Sequence, residues 1–350
     1  VEQLMIKERK IRIAVVGCGR ISKNHFASIE QLNPEYELVA VCDNNPIVLA
    51  EHTERYQVPG YISIDKLFES EQLDLVTLCT PSGIHASQTI KAAKAKVHVI
   101  TEKPMATKWE DGLAMVNACD EAGVRLFVVK QNRRNSTLQL LKRAVTEKRF
   151  GKIHMVHLNV FWTRPQEYYD RAAWSGTWHM DGGAFMNQAT HYVDLMHWLI
   201  GPVDSLHAMT STHRDIEVED TGVVNMKWRN GALGSMAVTM CTYPNNLEGS
   251  ITILGEKGTV RIGGVAVNEI QEWNFEESKE YDQQIDQANY QTTSVYGFGH
   301  PPYFKNVADV LRGNAEPETD GREGLKSLEL LIGIYRSARD HKEVGLPLNL

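Results

Sequence analysis

The chain has 350 residues, 42% apolar and 23% charged, and carries a formal net charge of −7. That length exceeds one typical core and points to two domains, while the acidic balance argues against a general nucleic-acid binder. No apolar run reaches the ~18 residues of a membrane span, no signal-peptide core is present, and Cys18, Cys42, Cys79, Cys119 and Cys241 lack paired spacing; a reducing, cytoplasmic setting without disulfides is expected.

After a polar arm over residues 1–10, residues 11–16 read as a strand that runs into Gly17-Cys18-Gly19-Arg20-Ile21-Ser22 and then a helix. The next strand, 38–42, ends at Asp43, near the ~20-residue offset expected for a ribose-binding carboxylate. Helices follow at 46–56 and 65–69, then a strand at 73–79 that exits through Thr80-Pro81-Ser82-Gly83-Ile84-His85. A helix at 85–96 leads to a strand at 97–101, which delivers Glu102-Lys103-Pro104. A helix at 109–122 and a strand at 125–129 end at Lys130-Gln131. Such regular alternation predicts a doubly wound parallel sheet, α/β in class, over residues 10–130.

Beyond a helix at 136–148 the period changes. Residues 152–160, 206–211, 221–228, 231–240, 248–254 and 258–262 read as strands, several with one apolar and one polar face. This predicts a mostly antiparallel open sheet covered on one side, an α+β unit whose other face is solvated or pairs with a second subunit. Helices at 303–313 and 321–340 complete the chain. The expected organisation is a Rossmann NAD-binding domain at 1–131 and a substrate-binding and oligomerisation domain at 132–350, the last helix being free to pack back on the first domain.

The chemistry follows from placement. Gly17 permits a tight turn, Gly19 lets the backbone approach a pyrophosphate, and the following helix aims unpaired N–H groups at that anion. Ser22 keeps a small residue where the glycine fingerprint has its third Gly or Ala. Asp43 would accept from the ribose hydroxyls and repel a 2′-phosphate, which favours NAD over NADP. Arg20, Ile21, Thr80, Pro81, Ser82, His85, Glu102, Lys103 and Gln131 lie at or just beyond strand ends and are further candidate cofactor contacts. Pro104 keeps Lys103 out of the helical region, so the strand must stop and turn there; alone, such a lysine reads as an ordinary surface turn.

A second stretch is unusually aromatic. It holds Trp162, Arg164, Tyr168, Tyr169, Trp174 and Trp178, then Gly182-Gly183, Asn187, Gln188, His191 and Asp194. Gly182-Gly183 would allow close approach at a helix start, and Asn187, His191 and Asp194 would share one helical face. Arg164 suits bidentate grip of a carboxylate or phosphate, with Tyr168, Asn187 and Gln188 as neutral partners. His191 alone also reads as an interior hydrogen-bonded histidine. His191 and His197 stand about 240° apart around a helix, so no metal is expected.

The motifs GCGRIS, EKP and GGAFMNQATHYVD together resemble the glucose–fructose oxidoreductase/inositol dehydrogenase family of two-domain NAD(P) enzymes. Within it, WSGTWHMDGGAFMNQATHYVDLMHWLIGPV and NLEGSITILGEKGTVRIGGVAVNEI resemble the bacterial UDP-N-acetyl-2-amino-2-deoxyglucuronate 3-dehydrogenases of lipopolysaccharide (O-antigen) biosynthesis. The resemblance implies NAD, a UDP-linked N-acetylated uronic acid substrate, a homotetramer, and Lys103 and His191 as the catalytic pair. Asn187 stands where many relatives carry an Asp four residues before the histidine, so which of Lys103 and His191 is the base stays open. Also open are whether NADH is released or recycled in place with 2-oxoglutarate, a dehydrogenase of a free cyclitol or sugar, and a non-catalytic NAD-binding regulator.

Overall fold

The computed structural model describes residues 5–292, 295 and 297–349. The chain divides into two compact units, one of residues 1–130 and 300–328, the other of residues 131–299 and 329–350.

In the first unit β1 (Ile11–Val16), α1 (Ser22–Gln31), β2 (Tyr36–Cys42), α2 (Pro46–Tyr56), β3 (Gly60–Tyr61), α3 (Ile64–Ser70), β4 (Leu75–Leu78), α4 (His85–Lys94), β5 (His98–Thr101), α5 (Trp109–Ala122) and β6 (Leu126–Val128) alternate. The strands form one sheet in the order β3-β2-β1-β4-β5-β6, every pair parallel. All residues of β4 and β5 are buried, as a parallel sheet covered on both faces requires. Local chemistry sets the helix ends. Asn45 accepts from the Ile47 and Val48 amides ahead of α2, with Pro46 in its first turn. Gly123, at φ +71°, closes α5.

The second unit holds α6 (Ser136–Thr146), β7 (Ile153–Phe161), α7 (Gln166–Tyr169), α8 (Thr190–Leu195), β8 (Val203–Ser211), β9 (Thr221–Trp228), β10 (Leu233–Thr239), β11 (Glu248–Gly255), β12 (Gly258–Gly263), β13 (Glu269–Phe275) and α9 (Ile285–Ala288). After these come α10 (His300–Leu311), α11 (Gly321–Asp340) and β14 (Val344–Gly345). The sheet order is β13-β12-β11-β7-β10-β9-β8-β14, and only β7 and β10 run parallel. Val156, Leu158, Val224, Met226, Met236, Ile251 and Ile253 are buried on its covered face. Met155, Met209, Val223 and Leu233 stand exposed on the other.

Two expectations change. The polar edge strand β13 has no clean alternation and was not foreseen. Residues 300–328 do not belong with the second domain but with the first unit. The reason is apolar burial: Tyr303, Phe304, Val307 and Leu311 of α10 share one core cluster with Ile13, Val15, Phe26 and Ile29, and the Tyr36 hydroxyl donates to the Phe304 carbonyl at 2.6 Å. The unit boundary falls inside α11, after Leu328. Among the described residues no helix is long and apolar enough to cross a membrane.

Candidate active site

In the first unit the turn after β1 is built by a steric constraint. Gly17 has φ +87°, and a Cβ there would lie 2.7 Å from the Cys79 carbonyl carbon at the end of β4, so no other residue fits. A Cβ at Gly19 would meet nothing within 4 Å. The protein's own packing therefore does not demand glycine at 19, whereas close approach of an anion does. Ser22 is fully buried and its hydroxyl donates to the Gly19 carbonyl at 2.6 Å, closing the turn. Ile21 supplies no side-chain cap to α1; the Asn24 amide donates to the Ile21 carbonyl at 3.1 Å, so donor capacity for an anion rests with the amides ahead of it, and Arg20 is exposed beside them. Asp43 accepts from the Cys18 amide on one oxygen and the Asn45 amide on the other, both at 2.8 Å. These bonds aim the carboxylate and leave each oxygen a lone pair for a ribose hydroxyl. Thr80, Pro81 and Ser82 follow β4, which neighbours β1, where strand order reverses and ligands of such sheets bind. These residues fit NAD.

Lys103 follows β5 through a cis Lys103–Pro104 bond. Of residues 101–106 it is the only one not buried. Two neighbours expected to touch cofactor use their side chains inside the protein instead. The Glu102 carboxylate lies 2.8 Å from His25 Nε2 and 3.6 Å from His300 Nε2, and its other oxygen accepts the Lys103 amide at 3.0 Å. Burial alone would push the Glu102 carboxyl up, but the interactions with His25 and His300 outweigh it and hold it well below the usual range. The His85 ring is buried, with Nδ1 3.0 Å from the Pro104 carbonyl and Nε2 2.9 Å from that of Thr80. Burial lowers its pKa, against the pull of the two carbonyls, and a neutral ring donates to one of them. Their carboxylate and imidazole are thus committed to the protein, because a buried polar group must find a partner.

In the second unit His191 lies in α8 and is buried. Its Nε2 is 3.0 Å from the side-chain amide of Gln131, itself fully buried. Gln131 had been expected among the cofactor contacts; here its amide braces the histidine. One of the two groups must donate. If the amide N–H donates, the ring's Nε2 lone pair is occupied; if the amide is turned and accepts from Nε2–H, the lone pair sits on Nδ1, the arrangement a proton acceptor needs. Asn187 does not share a helical face with His191, because α8 begins at Thr190. Asn187 donates instead to the buried carboxylate of Asp181, which also accepts the Gly176 amide at 2.8 Å. Asp194 turns to Arg133 in a buried two-point pair of 2.7 and 2.8 Å. Gln188 is buried. Arg164 lies over Trp162 and Tyr168, its guanidinium carbon 5.5 and 5.3 Å from the ring centroids, and its Nε has no hydrogen-bond partner.

The glycine pair has a different origin from the one expected. Gly182 has φ +82°, and a Cβ at Gly183 would overlap the Glu219 carboxylate at 1.8 Å. Protein packing, not ligand approach, requires glycine at 183. Glu219 is buried, accepts the Phe185 amide at 3.0 Å and the Tyr335 hydroxyl at 2.9 Å, and burial pushes its pKa up to about 7. His25, His300, Asp181, Glu219 and Tyr335 were not singled out from the sequence. His25, on the buried side of the helix after the glycine turn, carried the one readable signal.

A parallel sheet carrying a glycine turn, an uncapped helix and an oriented carboxylate defines a dinucleotide-dependent oxidoreductase of two units. Residues 11–130 match the family model described as "Oxidoreductase family, NAD-binding Rossmann fold", and residues 142–346 match "Oxidoreductase family, C-terminal alpha/beta domain". The chain belongs to this oxidoreductase family, GFO/IDH/MocA. It is 61% identical to the WlbA dehydrogenase of Chromobacterium violaceum, solved in complex with NADH and UDP-GlcNAcA, with 99% of each chain covered and a TM-score of 0.95. The WlbA dehydrogenase of Bordetella pertussis, in complex with the same two molecules, is also 61% identical, covering 98% of this chain and 100% of that one, TM-score 0.96. The D-apiose dehydrogenase of Paraburkholderia graminis is 26% identical, covering 97% of this chain and 90% of that protein.

Two outcomes are expected from this geometry. Gln131→Leu should lower kcat by about tenfold or more while NADH affinity stays within about threefold, since the amide braces His191; fluorescence titration of NADH checks this, and a matching loss of affinity would restore Gln131 to the cofactor. Glu219 binds its proton more tightly folded (about 7) than at its ordinary value of 4.5. Its contribution is therefore complete below pH ~4.5 and is lost as pH rises to ~7, on the order of 3 kcal/mol at 1.36 kcal/mol per unit. Wild-type Tm should consequently fall relative to Glu219→Gln between pH 5 and 8, read by scanning fluorimetry; parallel curves would reject the elevated pKa.

Proposed function

We propose that the protein oxidises the sugar 3-hydroxyl of UDP-N-acetyl-2-amino-2-deoxyglucuronate to the ketone, supplying diacetamido-uronic acids of lipopolysaccharide. The observation that carries this reading is the full-length likeness to two dehydrogenases crystallised with NADH and UDP-GlcNAcA. Arg164 suits it locally: its guanidinium is flanked by Trp162 and Tyr168 and oriented by Nη1 donating to the Thr163 carbonyl at 2.7 Å, and a guanidinium is the side chain suited to a carboxylate or phosphate.

Bound NAD supplies the hydride acceptor. The turn at Gly17 and Gly19, with Arg20 and Ile21, would hold the pyrophosphate; Asp43 would hold the adenosine ribose; Thr80, Pro81 and Ser82 would line the rest of the cofactor site. His191 takes the hydroxyl proton, its ring braced by Gln131. Lys103 donates to the oxygen as negative charge develops there. Arg164, Tyr168, Asn187 and Gln188 hold the sugar nucleotide. Five free thiols suit the reducing cytoplasm.

On single-turnover mixing of the NAD-loaded protein with the UDP-uronic acid, absorbance at 340 nm should rise, measured with and without 2-oxoglutarate. Lys103→Met and His191→Asn should each cut the rate by at least about a hundredfold, and Arg164→Ala should raise KM for the UDP-sugar by about tenfold. Reduction by inositol or glucose but not by the UDP-sugar would reverse the assignment. The exposed Met155, Met209, Val223 and Leu233 support burial of this sheet face against a second copy, in a homotetramer. Light scattering should then give four chains per particle, and Leu233→Glu should lower that number; a monomeric wild type would rule the assembly out.

A further inference from the structure

We infer that Glu102 is a positioning residue for Lys103, tying the lysine's backbone to the helix that follows the dinucleotide turn. The inference rests on the role proposed for Lys103. An ionised carboxylate as buried as Glu102 is costly unless partnered, and its partners reveal its task. One oxygen lies 2.8 Å from His25 Nε2. The other accepts the N–H of Lys103 at 3.0 Å. His25 belongs to α1, within a turn of Ser22 and the glycine loop, and its Nδ1 is 2.8 Å from the Thr77 hydroxyl of β4. A chain of contacts therefore runs from β4 through α1 to the amide of the one residue of 101–106 that is not buried. On the far side, His85 reaches the carbonyl of Pro104 at 3.0 Å. Lys103 is thus held on both flanks by groups that need not touch substrate.

His25, Glu102 and His300 also have ligand atoms within 4.8 Å of one another, as a metal site would. The 2.8 Å spacing of His25 and Glu102 is that of a hydrogen bond. Two ligands of one tetrahedral zinc, each ~2.0–2.1 Å from it, stand about 3.3 Å apart. His300 Nε2, at 3.6 Å from the carboxylate and without a hydrogen-bond partner, is beyond hydrogen-bond range, and burial lowers its pKa, so it is no second anchor for the carboxylate. Hydrogen-bond geometry is what Glu102 supplies to Lys103.

Glu102→Gln preserves that geometry. Its amide oxygen accepts the Lys103 N–H, its NH2 donates to His25 Nε2, and the His25 proton moves to Nδ1 and donates to Thr77. Glu102→Asp keeps the charge but is one methylene too short to serve both partners. Glu102→Gln should hold kcat within about threefold of wild type, while Glu102→Asp should lower it by about tenfold or more, with NADH affinity nearly unchanged in both. Hydrogen–deuterium exchange over residues 101–106 should speed up in Glu102→Asp and not in Glu102→Gln. Equal or higher kcat in Glu102→Asp, or exchange unchanged in that variant, would overturn the inference. Because exchange needs no turnover, it tests the anchoring even if the wild type ignores the UDP-sugar, an outcome that would count against the functional reading alone.

Discussion

Where β1 turns towards α1, backbone meets backbone with no space for a side chain. A Cβ on Gly17 would lie 2.7 Å from the Cys79 carbonyl carbon and 2.9 Å from the Thr80 nitrogen. The turn is also hydrogen-bonded to both neighbouring strands, through Gly17 N to the Cys42 carbonyl at 2.8 Å and Cys79 N to the Val16 carbonyl at 2.7 Å. Much of the first unit hangs on this contact. It sets where α1 departs, brings the Cys18 amide to Asp43, and carries His25 to Glu102. Relaxing it would disturb the glycine turn, the oriented Asp43 carboxylate and the support of the Lys103 backbone together, since all three share one short stretch of backbone.

The second unit meets another constraint by other means. Residues 170–189 contain almost no regular structure, yet much of the segment is buried, so its polar groups must be satisfied by side chains. Asp181 serves Gly176 and Asn187; Glu219 serves Phe185 and packs onto Gly183; Tyr335 receives the Met186 amide at 3.1 Å. Gln131 and Arg133, on the segment before α6, brace His191 and Asp194. A loop built in this way has the fixed geometry that substrate positioning demands.

The motifs were legible because they are local. Strand, glycine turn, helix and acid announce themselves by spacing, whereas Lys103 and His191 stood out as a pair only through the resemblance of EKP and GGAFMNQATHYVD to a known family. Side-chain direction was less legible. Glu102 and His85 sit at strand ends, where cofactor contacts are expected, but burial turns both inwards to His25, Thr80 and Pro104. Asn187 looked like a deficient partner for His191, yet its carboxylate, Asp181, lies six residues upstream in a turn that no helical period describes.

By itself the sequence determined the alternation of strands and helices, the dinucleotide turn and the change of period after residue 150, since each follows from burial periodicity and backbone freedom within a few residues. Only the tertiary structure decided that α10 joins the first unit, that Gly183 answers to Glu219, and that Glu102 serves His25 and Lys103. These pairings join residues tens to hundreds of positions apart in sequence or turn on which way a carboxylate faces. Desolvation and steric exclusion choose among the alternatives only once the chain has closed around them.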